Sequence, residues 1–556
     1  VLPDKRRLLI SSVSVIALSV SLSIVGAMAP SAARADDTTE QKIEALQKQI
    51  QAQQKQMNEQ QQQLEMLKAQ AQMAQTQADK AKVAAQAAQA QATASAAPTA
   101  NGFLNHGLLY KSANVNLTLG GFIEAAGIYR DHNEEADVGS SFKLGNANGI
   151  PLPFSANYYG SEYRGTARQS RLSLLAQGDD NLQSYAAYFE LDFLGAGASS
   201  NSVESNSYTP RIRHIYATYD DPADGWHVLG GQTWSLLTMN RQGIIPRTEV
   251  TPATIEAQYV TGFTWDRAPQ IRVVKDFDKK LWIGVSAETP QASIYNGGGY
   301  NTVAATAASA PALGNVTFNN AGGSLLNSGS NYSLDQAPDF VAKVAYDPGW
   351  GHYEVFGVAR DFHDRANPAA GRPGSHDTLA GGGGASALLP VIDRKLDFQV
   401  SFLDGVGIGR YGSAQFSDAV VNANNDELTP IPEFIGLAGL VGHPTSSLDV
   451  YGYGGYEGEQ KTAVTTVAGK FYGLGNPNYT NTGCNIENSA LSCVANASSE
   501  WQATIGGWWK FYQGKAGMME IGASEAYIHV NTFSGVGGAP HANENIVMTS
   551  FRYYPF

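Results

Sequence analysis

From residue 116 to the end, the chain is a succession of short segments whose connections are long and short in strict turn. Within the segments the period is two. Tyr185, Ala187, Phe189, Leu191 and Phe193 alternate with Ser184, Ala186, Tyr188, Glu190 and Asp192, and Leu396, Phe398, Val400 and Phe402 alternate with Asp397, Gln399 and Ser401. Such strands have one apolar and one polar face, as in a soluble sandwich, so alternation alone leaves the fold class open. The connections narrow it. Strands are placed near 116–130, 165–177, 182–193, 209–220, 225–234, 268–277, 281–288 and 338–346, then 351–363, 377–389, 395–404, 446–455, 463–473, 500–512, 516–529 and 545–556. Short turns such as Gly178-Asp179-Asp180-Asn181, Asp278-Lys279-Lys280 and Gln513-Gly514-Lys515 separate long loops near 131–164, 235–267, 289–337, 405–445 and 474–499. Sixteen antiparallel strands, short turns at one end and long loops at the other, describe an outer-membrane β-barrel. The pattern is faintest at 463–473 and at the start of the sixth strand, and both are kept because the alternation requires them.

Aromatic placement points the same way. Trp501, Ala503, Ile505, Trp509 and Phe511 share one face, with Gln502, Thr504 and Lys510 on the other. Ten steps of about 3.3 Å, tilted by about 40°, give roughly 25 Å between Trp501 and Phe511, the height of an apolar band with an aromatic girdle at each edge. Composition fits: only 16% of residues are charged and 10% are aromatic, with 59 glycines and 2 cysteines. A soluble enzyme of this length would carry nearer a quarter charged residues. The net charge of −13 argues against nucleic acid as a partner.

The first hundred residues differ in kind. Lys5, Arg6 and Arg7 precede an uncharged run from Leu8 to Ala29, and Ala33-Arg34-Ala35 offers small residues at signal-peptidase spacing, with Ala27-Met28-Ala29 as a second candidate. Residues 1–35 are therefore expected to be a signal peptide, the alternative being a retained anchor. Its removal deletes Lys5, Arg6, Arg7, Arg34 and Asp4, taking −13 to −16. Beyond it no apolar run is long enough for a transmembrane helix. Over residues 43–95, Ile43, Ile50, Met57 and Leu64 recur every seven residues, with Leu46 and Leu67 among the matching positions three later. Such heptads form a coiled-coil seam, here with mostly Gln flanks and with Gln53 and Gln60 in the seam itself. The bland alternative is a single solvated Gln/Ala-rich helix or a disordered linker. The organisation expected is a signal peptide (1–35), a periplasmic coiled coil (36–97), a linker (98–115) and a barrel (116–556).

No nucleophile elbow, zinc-binding helix motif or P-loop stands out, so the expectation is a non-enzyme with neither cofactor nor metal. The Gly381–Gly384 run reads as strand backbone, and His352 and His363 as rim residues. The chemistry-bearing feature is electrostatic. The loop after the fifth strand holds Arg241, Arg247, Arg267, Glu249, Glu256 and Asp266, and a loop there can fold inward to narrow the lumen. Charges of both signs across a narrow aqueous path orient and concentrate ionic solutes. Arg171, Arg211, Arg213 and Arg272 on the wall add to the set, Arg171 facing inward by parity with Gln169 and Ser173. A regular strand cannot turn both Arg213 and His214 inward, so Arg211 and Arg213 are chosen. The bland alternative is that these arginines only neutralise acidic lumen neighbours or hold lipopolysaccharide at the rim. Cys484 and Cys493, nine apart in a long loop, are expected to form a disulfide in an oxidising exported compartment.

Tyr554-Pro555-Phe556 resembles the final strand by which outer-membrane proteins are recognised for assembly, although Ser550 and Arg552 depart from its apolar pattern. With Gly120-Gly121-Phe122-Ile123, Pro210-Arg211-Ile212-Arg213-His214, the leader, the heptads and the long barrel, the chain resembles the DcaP-like outer-membrane porins. The resemblance implies a homotrimer of sixteen-stranded barrels in a Gram-negative outer membrane, with periplasmic helices joined as a trimeric coiled coil and passage of small anions such as dicarboxylates. No substrate-binding residue is carried over from it. Two other readings stay open: a coiled-coil adhesin or envelope tether anchored by the barrel, and an outer-membrane lipase.

Overall fold

The structure, a computed structural model, describes Lys55 and residues 107–556 except 112–114, 137, 139–148, 181–182, 196–207, 256–259, 296–306, 311–313, 322–330 and 369–371. The leader, the heptad segment apart from Lys55, its seam residues Ile43, Leu46, Ile50, Met57, Leu64 and Leu67, and Glu256 all lie outside the described residues. The chain separates into units Val1–Gln91 and Ala92–Phe556, and the barrel belongs to the second.

Sixteen strands close into one antiparallel barrel: β1 Val115–Arg130, β2 Arg171–Asp179, β3 Ser184–Gly195, β4 Thr209–Asp221, β5 Trp226–Trp234, β6 Arg267–Phe277, β7 Leu281–Glu288 and β8 Asp339–Tyr346, followed by β9 His352–Pro368, β10 Gly374–Ile392, β11 Leu396–Val406, β12 Pro432–Thr445, β13 Leu448–Glu459, β14 Ala497–Gly514, β15 Gly517–Thr532 and β16 His541–Tyr554. Each pairs with the next, and β16 returns to β1 from Ile123↔Tyr553 to Arg130↔Ile546. Closure leaves no open edge, so the backbone polar groups are satisfied without water, as crossing a membrane demands. The upper half of β1 pairs instead with a separate segment, Glu162–Thr166, and its lower half with β2. At the break Gly121 has φ 127°, and a Cβ there would lie 2.2 Å from the Arg171 carbonyl oxygen, so only glycine fits.

Side chains obey the period-two rule. Ile271, Val285, Phe340, Val355 and Ile505 are exposed on the outside, while Arg272, Lys343, Glu354, Arg360 and Gln399 are buried on the inside. Trp501, Ala503, Ile505, Trp509 and Phe511 all point outward.

Two local expectations are corrected. Segment 463–473 is not a barrel strand: it is a loop hairpin, Thr462–Val467 with Lys470–Leu474, and the missing wall strand is β12. The reason lies in the interior. Ile435, Leu437 and Val441 face inward on β12 beneath folded-in loops, so both faces of that strand are apolar and the alternation fades. On β4 the register slips between Glu190↔His214 and Leu191↔Ile212. This bulge turns both Arg213 and His214 inward, 2% and 7% exposed, between outward Ile212 and Ile215.

The lumen is not empty. Leu236, Leu237 and Ile244 of the third long loop (residues 235–266) pack with Trp282, Val341, Phe356 and Leu403 of the wall and with Ile408 and Tyr411 of the sixth (residues 407–431). A second interior core joins Ile150, Leu152, Ile255, Phe416 and Cys484 from four loops to Trp508, Ile528 and Ile546. Each such side chain removed from water contributes about 1.5–3 kcal/mol, which is what holds loop backbone inside an aqueous lumen.

Candidate pore constriction

The third loop leaves β5 at the long-loop end and runs down the inner wall. Its backbone donors meet wall carboxylates at each stage: Leu236 N–H donates to Glu288 (2.9 Å), Asn240 N–H to Glu354 (2.9 Å) and Gly243 N–H to Asp347 (2.9 Å). Asp347 lies in the short turn between β8 and β9, so the loop descends to the opposite end of the barrel. A hairpin tip returns it, with Arg241 N–H donating to Thr248 O (2.7 Å) and Val250 N–H to Met239 O (2.8 Å). The loop then crosses the lumen. Ala253 N–H donates to the Tyr453 hydroxyl (3.0 Å), and the Ala253 carbonyl accepts the Trp508 indole (2.8 Å). The Ile255 carbonyl accepts Gln169 and Arg552, each at 3.0 Å. Thr261 Oγ1 donates to Glu500 (2.6 Å) and Gly262 N–H to Glu457 (2.6 Å). Gly262, at φ 86°, sits so close to β12 that a Cβ would be 1.9 Å from the Gly436 carbonyl.

The base of the loop is locked by ions. Arg410 of the sixth loop bonds Asp266 (3.0 Å) and approaches Asp339 (3.4 Å), while Arg360 binds Asp339 (3.2 Å) and Asp418 (2.8 Å). The Tyr411 hydroxyl also donates to Asp339 (2.7 Å). Buried charges persist only when paired and hydrogen-bonded, and each member here has at least one partner. The tip is held by a second set. His352 places Nδ1 2.7 Å from Asp347 and Nε2 3.0 Å from Glu354, the two carboxylates that hold Gly243 and Asn240, and Lys343 Nζ lies 2.9 Å from Glu354. An imidazole between two carboxylates donates to both only with a proton on each nitrogen. The expected rim role of His352 is thus refined: it is buried in the wall beneath the loop tip. Among the described residues no group of three or more His, Cys, Asp or Glu side chains could hold a metal.

The other side of the loop faces arginines. Arg211 holds Asp192 with two bonds (3.0 and 2.8 Å), and Arg213 bridges Asp192 (2.9 Å) and Glu190. Arg171 lies 4.0 Å from Glu190 and 5.3 Å above the Phe122 ring. The Arg213 side chain is 2% exposed, but Arg171 and Arg211 keep 23% and 28%. From the loop, Arg247 reaches the same wall, donating to the Tyr216 hydroxyl (3.1 Å) over the Tyr188 ring (5.7 Å). Its backbone adopts φ 69°, a conformation an L-residue keeps only under tertiary constraint. Beside it, burial raises the Glu249 carboxyl above its ordinary range, against the pull of Arg272 and Arg247.

Of the residues singled out from sequence, then, Arg171, Arg211, Arg213 and Arg247 come together, with Glu249 adjoining. Arg241 does not join them: it reaches β11, 3.4 Å from Asp397. Arg272 is 2% exposed and donates to Gln270 (3.1 Å) and to the Trp234 carbonyl (2.7 Å), so it braces the loop base rather than an approach path. Arg267 stacks 4.9 Å over Trp234 at the same base. Cys484 and Cys493 are bonded (S–S 2.09 Å), with Cys484 fully buried. Sequence reasoning passed over the wall acids Glu288, Glu354, Glu457 and Glu500, whose inward parity was readable, and Arg552, which with Ser550 turns inward to Glu124 (2.9 and 2.6 Å).

No family model and no curated protein sequence matches the chain. Among solved structures it is similar to the outer-membrane channel DcaP of Acinetobacter baumannii, at 17% identity and a TM-score of 0.53, over 80% of this chain and 99% of that one. The anion-selective porin of Comamonas acidovorans aligns at 11% identity and a TM-score of 0.42, over 79% of this chain and 99% of that one. OprB of Pseudomonas putida aligns at 11% and 0.42, over 78% and 94%. The likeness to the first is one of fold: both chains form a closed β-barrel, here of sixteen antiparallel strands.

Proposed function

We propose that the protein is an outer-membrane porin through which small hydrophilic solutes diffuse, with a preference for small anions such as dicarboxylates. One observation carries this reading. The carboxylates of the β7–β9 and β13–β14 walls are covered by loop backbone that they hold, whereas Arg171 and Arg211 stay partly exposed. Three arginines on the β2 and β4 wall meet two carboxylates on β3, and the loop adds a fourth whose hydrogen-bond acceptor is a neutral hydroxyl. A small anion passing this wall would meet guanidinium groups at several points. The net charge of −13 does not oppose this, because exposed loop carboxylates are screened over about 8–10 Å. Affinity at this wall must stay weak for solute to leave. The working assembly in this proposal is a homotrimer in the outer membrane, with residues 36–97 as a periplasmic coiled coil and lipopolysaccharide around the rim.

Reversal potential across a salt gradient in a planar bilayer tests the proposal. The parent should favour anions, and replacing Arg171, Arg211 and Arg247 together by Ala should abolish or invert that preference. A unit charge at 4 Å acts with about 4 kcal/mol at an effective dielectric near 20, ample to bias passage. A cation-selective parent, or a triple variant with unchanged selectivity, would sink the anion preference, and a silent bilayer would sink the porin reading.

A further inference from the structure

Beneath the loop tip, a buried ion pair has a third member that charge balance does not call for. Lys343 of β8, Glu354 of β9 and Asn240 of the third loop are 1%, 2% and 1% exposed, and they touch one another. Lys343 Nζ lies 2.9 Å from Glu354 Oε2 and 3.5 Å from Asn240 Oδ1, and it also donates to the Thr238 carbonyl (2.7 Å). The Asn240 carboxamide carbon is one C=O bond, about 1.23 Å, from that oxygen. Asn240 N–H donates to Glu354 Oε1 (2.9 Å), so one carboxylate engages both neighbours. The carboxamide nitrogen is held by acceptors of the loop itself, the Ile245 carbonyl (3.1 Å) and the Thr248 hydroxyl (3.2 Å). A primary amine, a carboxamide and a carboxylate thus meet out of water.

The kind of cation matters. Four other wall cations are as deeply buried, Arg130, Arg213, Arg272 and Arg360, and all are arginines. A guanidinium stays protonated and has no free electron pair, whereas an ammonium beside a carboxylate can pass it a proton and become a nucleophilic amine. The surroundings favour that transfer, because low polarity penalises separated charges more than a neutral pair. The Phe356 ring lies 5.5 Å from Nζ and belongs to the interior core with Leu237, Trp282 and Val341. His352 Nε2 (3.0 Å) and the Ser386 hydroxyl (2.6 Å) fix the carboxylate from its far side.

We infer that Lys343 and Asn240 become joined by an amide bond between Nζ and Cγ, with Glu354 carrying the protons, so that the loop tip is tied covalently to β8. Glu354 takes a proton from the Lys343 ammonium, and the freed electron pair of Nζ forms a bond to Asn240 Cγ while the carbonyl pair moves onto Oδ1. The Glu354 carboxyl gives its proton to Nδ2 and takes the second proton from Nζ. The pair on Oδ1 then re-forms the carbonyl, and the Cγ–Nδ2 bond breaks. Ammonia leaves with the proton that Glu354 returns, so an ammonium and a carboxamide become a secondary amide and ammonium ion, and the carboxylate is regenerated. Nothing is oxidised or reduced. Reactants held in contact act at effective concentrations of about 10⁵–10⁸ M, which is what an otherwise sluggish amide exchange requires. Burial of all three groups keeps out the water that would reverse it. The ion pair in the structure is the state before reaction. The link is independent of which solutes pass, and it closes residues 240–343 into a covalent ring.

The test is mass spectrometry of the full chain, purified folded from membranes, then denatured and cut with trypsin. Trypsin cuts after Lys and Arg, and it passes over a lysine whose Nζ is an amide. The linked protein therefore yields residues 214–241 joined to residues 281–360 through Lys343, lighter by one ammonia than the two stretches together. Most of the folded parent should carry this species. Lys343→Arg, Asn240→Ala and Glu354→Gln should each lower it at least ten-fold, with barrel folding checked by heat-modifiable gel migration. Chain kept in denaturant from inclusion bodies should lack the link and gain it on refolding. Recovery of residues 214–241 and 281–343 as free peptides from the folded parent overturns the inference, whether or not any variant folds. A link undiminished in Glu354→Gln overturns Glu354 as the proton carrier, and one already present in never-folded chain overturns the buried site as its origin.

Discussion

The loop of residues 235–266 meets two walls of one barrel, and they treat charge differently. On the β7–β9 side, Glu288, Glu354 and Asp347 each accept a backbone N–H from the loop, and Lys343 and His352 complete the set. Those ions form part of the packing, covered by the loop backbone they hold. On the β2–β4 side the ions pair with one another, and Arg171 and Arg211 keep a face to the lumen. The same residue types are structural where loop backbone covers them and available where it does not. Coverage, more than the count of charges, decides which charges the lumen exposes.

The sharpest way to break the comparison is Glu354→Ala. It removes the acceptor for Asn240 N–H, Lys343, His352 and Ser386 at once and leaves a lysine buried without its counter-charge. Removing one partner of a buried pair costs about 3–5 kcal/mol. The loop tip should detach, with conductance rising and flickering in single-channel records and thermal unfolding falling by several degrees. Conductance indistinguishable from the parent would mean that the wall carboxylates do not hold the loop.

A pair of single substitutions sharpens it. Arg211→Ala on the open wall should shift the anion-to-cation permeability ratio clearly. Arg241→Ala, on the loop but beside Asp397 of β11, should shift it far less. Equal shifts would show that both sides of the loop conduct.

A smaller effect concerns Glu249. Burial raises its carboxyl above the ordinary carboxylate range, so folding disfavours its charged form relative to the unfolded chain. A group raised in the folded state contributes stability that is fully present below its unfolded value and is lost as pH rises through its folded value. Glu249→Gln should therefore raise the thermal midpoint slightly at neutral pH and leave it unchanged near pH 4. An equal change at both would remove Glu249 from the account.

The smallest effect belongs to the disulfide. Cys484 is packed in the interior core, and Phe154 N–H donates to its carbonyl (3.0 Å). Reduction should loosen residues 475–496 and leave single-channel conductance within a few per cent. A large conductance change would move this loop from cover to gate. Labelling of both cysteines by a thiol probe without reductant would show that the bond is not formed.

Much of the fold was legible because its signals are local. Fifteen of the sixteen wall strands could be placed from alternation and turn residues, since period two needs only neighbouring side chains. The exception, β12, has apolar residues on both faces because Ile435 and Val441 support loops that arrive from elsewhere in the chain. The bulge at Arg213 escaped for a related reason: it shows only in the register of β4 against β3.

The candidate site divides in the same way. By itself the sequence determined the barrel, the inward parity of Arg171, Arg211 and Arg213, and a charged loop after β5, because strand pleat and turn chemistry act over a few residues. Only the tertiary structure decided that Arg247 joins those arginines, that Arg241 does not, and that Arg272 is a brace. The loop's course is written in contacts such as Asn240 with Glu354 and Ala253 with Trp508, 114 and 255 residues apart in the chain. Nothing local encodes partners so distant, because each exists only after the barrel has closed and brought the walls to face one another.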